Sequence, residues 1–110
     1  MVEDLIKRIE KLEFHQQLLL NMVKRDDYPF NWIIIEKRLS REDRDEFFKV
    51  CEELNKVRLE QKAEGFVFHS PLFKEFKRRV HPRLRSKEVI EACIQQGVYV
   101  PLMVELKKNI

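Results

Sequence analysis

Val2, Leu5, Ile9, Leu12, Gln16, Leu19 and Val23 follow one another at alternating spacings of three and four residues. That is three heptads of a and d positions, the period of a helix that offers a single apolar seam to another helix. Gln16 is the one polar occupant, of the kind that can set register or oligomer state. Ile6 and Leu20 widen the stripe to one side. The spacing predicts a helix over residues 2–24, about 35 Å long at ~1.5 Å per residue. A helix with so broad a stripe needs a partner, either the rest of this chain or a second copy.

Beyond it the pattern stays helical but shorter. Asp26-Asp27-Tyr28-Pro29 breaks the first helix, with an Asp cap and Pro29 in the first turn of the next. The second helix, about 29–39, carries Trp32-Ile33-Ile34-Ile35. Four apolar residues in succession cover the whole circumference, so this helix should be buried on most sides, Trp32 included. Ser40 with Asp43 three residues on predicts a capping box and a third helix over about 41–64. Its stripe is Phe47, Phe48, Cys51, Leu54 and Val57, and Gly65 is its stop. Phe66-Val67-Phe68 reads as an apolar plug in the core. Ser70-Pro71 should open a fourth helix with Leu72, Phe73, Phe76 and Val80 inward, closed by His81-Pro82. Ser86 and Glu88 open a fifth, with Val89, Ile90, Cys93 and Ile94 inward and Gly97 as its stop. A last helix over about 101–108 turns Leu102, Met103 and Leu106 inward. The expected architecture is all-α: one domain, residues 1–110, a five- or six-helix bundle with a long, coiled-coil-like N-terminal helix.

Charge adds one feature. Of 22 Lys and Arg and 19 Asp and Glu, residues 74–87 hold seven of the basic residues and one of the acidic, a local charge of +6. The remaining 96 residues carry 15 basic and 18 acidic side chains. Lys74, Lys77, Arg78, Arg79, Arg83, Arg85 and Lys87 are therefore candidate phosphate contacts for a nucleic acid. Glu75 interrupts them, and Phe73 and Phe76 belong to the buried face, where they stack on no base. A solvated basic face is the favoured reading. A helix-turn-helix through Gly97 fails because its second helix, PLMVEL, is apolar and has nothing to reach base edges.

Catalytic and metal signals are weak. Cys51 and Cys93 lie on apolar stripes, where a buried thiol is inert. His15, His69 and His81 are isolated from one another in sequence, and no pair shows the i, i+3 or i, i+4 spacing of helix-borne metal ligands. There is no glycine-rich phosphate loop and no nucleophile elbow. We expect no enzyme activity, cofactor or metal. No apolar run approaches the ~18 residues of a spanning helix, and the charged N-terminus does not read as a signal peptide. The chain reads as soluble and cytoplasmic, with reduced thiols.

RIEKLEFHQQLLL, DDYPFNWIIIEKRLSRED, QKAEGFVF and EACIQQGVYVPLM, in this order, resemble the YhaI-like family of small uncharacterised proteins from Bacillus and relatives. Tyr28-Pro29-Phe30 and the QKAEGF stretch, residues 61–66, are the most specific parts of that resemblance. It implies an all-helical fold in a bacterial cytoplasm and no assigned activity. The residues themselves imply a homo-oligomer joined through Leu5, Ile9, Leu12, Gln16, Leu19 and Val23, and an interaction or regulatory role. An unidentified protein partner and nucleic acid are the alternatives; a membrane is not.

Overall fold

The computed structural model describes residues 1–65 and 69–110. The apolar plug expected at Phe66-Val67-Phe68 lies outside them. The described residues form six α-helices and no strand: α1 (Val2–Met22), α2 (Pro29–Glu36), α3 (Arg41–Ala63), α4 (His69–Arg79), α5 (Ser86–Gln96) and α6 (Val100–Lys107). A single 3-10 turn, Arg25–Asp27, joins α1 to α2.

Local chemistry sets most of the boundaries. The Ser40 hydroxyl accepts from the Asp43 amide at 3.0 Å, and the Ser40 amide donates back to the Asp43 carboxylate at 2.9 Å. This reciprocal box satisfies two amides that the first turn of α3 would leave without partners. The same hydrogen bonding with Ser40 holds the Asp43 carboxyl below its ordinary range. Gly97, at φ +83°, takes the left-handed conformation that ends α5, and its amide donates to the Cys93 carbonyl at 2.9 Å.

Three expectations about ends need correcting. Asp26 and Asp27 do not cap α2; they belong to the 3-10 turn, and Tyr28, the N-cap, makes no side-chain cap bond. The second helix stops at Glu36, and Arg38 turns the chain at φ +54°. The fourth begins at His69, so Pro71 sits inside its first turn, where a missing amide costs nothing.

The core is built by α2 to α6. Phe30, Phe47 and Phe76 stack through it, with ring centroids 5.2 Å apart for Phe30–Phe47 and 6.1 Å for the edge-on Phe47–Phe76 pair. Val50, Cys51, Leu54, Val89, Ile90, Cys93, Leu102, Met103 and Leu106 fill the space between the helices. The inward residues of α5 and α6 are those the sequence pattern indicates, although Ile94 is only partly covered.

The first helix adds nothing to this core, for it contains no buried residue. It stands away from the body, and the molecule measures 60 × 29 × 19 Å. Its radius of gyration, 17.3 Å, exceeds the roughly 13–14 Å of a compact chain of this length. A straight 21-residue helix is about 32 Å long, which accounts for the excess. The alternative in which the first helix packs into its own bundle is not what the chain adopts.

Candidate functional site

Along α1 the heptad positions form one open strip. Leu5 is 57% exposed, Ile9 54%, Leu12 65% and Leu19 61%. Val23, just past the helix, and Gln16 within it are exposed as well. Burial normally supplies most of the stability of a protein helix, because a free helix of this size is marginal in water. Here no residue of the helix that carries a three-heptad seam is buried by its own chain. Exposed apolar surface of this kind makes the strip a candidate interface.

The seam does not end where α1 ends. A groove runs between the C-terminal half of α1 and α2, lined by Glu13, Gln16, Leu20, Ile34, Ile35 and Leu39. A second, more apolar hollow beside it is lined by Leu20, Val23, Tyr28, Trp32 and Ile35. Trp32 is thus half-buried rather than a core residue, and the Arg25 guanidinium lies 5.9 Å from its ring centroid. The all-apolar run 32–35 divides its labour: Ile33 enters the core, Ile34 packs at its edge, and Trp32 and Ile35 extend the open strip onto the body. Sequence reasoning assigned that run to burial and so missed Trp32 and Ile35 as lining an open hollow. The signal was present in its all-round apolarity, which a short helix on the edge of a small core cannot hide entirely.

The basic segment is not one surface. Arg78 pairs with Glu75 one turn back on α4. Arg79, half-buried, reaches across to Glu53 on α3. The Arg83 guanidinium donates to the Lys37 carbonyl at 3.1 Å. Lys74, Lys77, Arg85 and Lys87 are exposed. Arg78 and Arg79 line a hollow shared with Asp43 and Glu46, whereas Arg85 and Lys87 line another, with Arg25, Glu88 and Glu91. Lys77, Arg78 and Arg79 also sit in the last turn of α4, where cations complement the helix dipole. Much of the charge therefore has a structural account.

Residues 2–110 match the family described as "Protein of unknown function (DUF1878)". The chain belongs to this family. Its description carries no reaction and no ligand, so any function must be argued from geometry.

The remaining chemistry-bearing groups are quiet. Cys51 and Cys93 are fully buried and unpaired by any disulfide. Burial pushes the Cys51 thiol up to about 12 and the Cys93 thiol higher still. His81 approaches Asp43 at 3.9 Å, and its Nδ1 accepts from the Arg83 amide at 3.1 Å. Among the described residues no group of three or more His, Cys, Asp or Glu is placed to hold a metal ion. No helix among them is long and apolar enough to cross a membrane.

Proposed function

We propose that this chain is a non-catalytic, homo-oligomeric interaction or regulatory protein whose α1 is the contact with a second copy. The supporting observation is the open heptad seam: Leu5, Ile9, Leu12, Leu19 and Val23 are all exposed in a chain whose other helices share a closed core. The Gln16 amide within the seam fits a helix partner better than lipid, which would leave it without a hydrogen bond. The role is read in a bacterial cytoplasm, in keeping with the YhaI-like resemblance and two reduced, buried thiols. Engagement of Arg78, Arg79 and Arg83 with groups of the same chain weighs against the alternative, a nucleic-acid contact through residues 74–87.

Light scattering on purified protein tests the proposal. The native chain should run at a multiple of 13.5 kDa. Leu12→Asp, which puts a charge at the centre of the seam, should run as a single chain with the body's near-ultraviolet dichroism unchanged. A native protein that is monomeric, or a variant that keeps the native mass, overturns it.

A further inference from the structure

The seam carries more information than its apolarity. Taking Val2 as an a position, the a set is Val2, Ile9, Gln16 and Val23, and the d set is Leu5, Leu12 and Leu19. Every apolar a residue is β-branched and every d residue is leucine. In parallel coiled coils that division favours two strands, because each site's packing geometry accepts one shape of side chain.

The polar position agrees. In a parallel, in-register pair, a faces a, so Gln16 meets the partner subunit's Gln16 and the two amides can hydrogen-bond. In an antiparallel pair a faces d, and the Gln16 amide would be set against leucine with no polar group to satisfy it. One flanking pair agrees too, although the other e positions, Ile6 and Leu20, are apolar. Arg8 is at g and Glu13, five residues on, at the following e. In a parallel dimer g of one helix lies beside that e of the other, so Arg8 meets the partner subunit's Glu13, twice by symmetry. The antiparallel register centred on Leu12 and Gln16 brings Glu13 towards the partner subunit's Glu13 instead.

The bodies are compatible with this. The groove lined by Glu13, Gln16, Gln17 and Leu20 places α2 towards the e and b side of its own α1, next to the a position of Gln16. The two-fold axis of a parallel pair brings that side of each protomer against the g and c side of the other helix. Leu18, at c, and Met22, at g, are 46% and 79% exposed there. They would face the partner's apolar edge, the surface that in each chain is formed by Trp32 and Ile35.

From these three relationships we infer that two copies associate through a parallel, in-register, two-stranded coiled coil of α1, with both bodies at its C-terminal end. The inference rests on the self-association reading above and specifies its geometry. Nitroxide labels at Lys7→Cys and, separately, Asn21→Cys test it; both sites are f positions, and the native thiols are fully buried. Each singly labelled sample is measured by pulsed dipolar spectroscopy, alongside its mass by light scattering. The expected result is a dimer mass with one short distance, similar at both sites. In the antiparallel alignment the two Lys7 positions lie about 14 residues apart along the axis, roughly 21 Å. A mixed sample of the two labels, not either alone, would then give the short distance. A dimer with that staggered pattern, or a trimer or tetramer mass, overturns the parallel two-stranded geometry and leaves self-association standing. A monomer mass for the unlabelled protein overturns both.

Discussion

The Tyr99 hydroxyl donates to the Glu52 carboxylate at 2.8 Å, tying the start of α6 to the middle of α3. Tyr99 holds this position with its backbone in the left-handed region, at φ +47°, where a non-glycine residue is strained. Burial, the hydrogen bond to Glu52 and that carboxylate's charge push the Tyr99 phenol up to about 12. Its folded value lies above the ordinary one near 10. The stabilisation is therefore complete below about pH 10 and is lost as the pH rises towards 12. Tyr99→Phe should cost roughly 0.5–1.5 kcal/mol at neutral pH. The melting-temperature gap between native protein and variant should close above pH 10. A gap that persists unchanged to pH 12 would show that it does not come from the protonated hydroxyl, and no gap at neutral pH would show that the hydroxyl contributes nothing.

Arg79 and Glu53 give the acid-side counterpart. The Arg79 guanidinium, through its hydrogen bond and its charge, holds the Glu53 carboxyl below its ordinary range. A depressed carboxyl stabilises above its unfolded value, near 4.3, and the contribution is lost as the pH falls through the folded value. Arg79→Met should lower the melting temperature at pH 7 and make little difference near pH 3. Lys77→Met, on the exposed face of the same turn, should leave melting unchanged at both. Equal effects from the two variants would mean that charge alone, rather than the α3–α4 contact, matters.

The aromatic residues of α2 separate by burial. Phe30 is 1% exposed within the stacked phenylalanines, so Phe30→Ala should cost about 3–5 kcal/mol. Trp32 is only half-buried, and Trp32→Ala should cost clearly less in urea titrations of the dissociated Leu12→Asp background. The reverse order would place Trp32 in the core.

Gln16 is expected to reduce stability in exchange for specificity. Gln16→Leu should make the assembly harder to dissociate on dilution while broadening its mass towards larger oligomers. Phe14, at 57% exposure, lies at f, away from the seam, so Phe14→Lys should keep the native mass. Loss of association in Phe14→Lys would move the interface to the opposite face of α1.

Cys51 and Cys93 should not react with a thiol reagent in the native protein and should both react after unfolding. Burial disfavours their thiolates, the reactive form. Rapid native-state labelling of either would contradict the packing around α3 and α5.

Much of the fold was legible because it is written in local chemistry. Ser40 and Asp43 announce the start of α3, Gly97 the end of α5, and the spacing of Leu102, Met103 and Leu106 the buried side of α6. Periodicity also showed that α1 has an apolar seam. It could not show what covers the seam, since an apolar stripe reads the same whether its partner is intramolecular or a second copy. Trp32 and Ile35 were misjudged for a related reason: their exposure depends on where α1 leaves the body, which no local pattern records. The basic segment looked continuous in sequence, but the turn at His81-Pro82 separates Arg78 and Arg79 from Arg85 and Lys87 in space.

The detachment of α1 from the body has a thermodynamic consequence. With no buried residue in common, the two parts have little reason to melt together. A 21-residue helix without a packed face is marginal on its own, so under the proposed self-association its helicity depends on pairing and hence on how much protein is present. The closed core of α2 to α6 has no such dependence. Heating should therefore reveal two transitions, one that climbs with concentration and one that stays put, and abundance alone would decide whether the first helix exists as a helix at all.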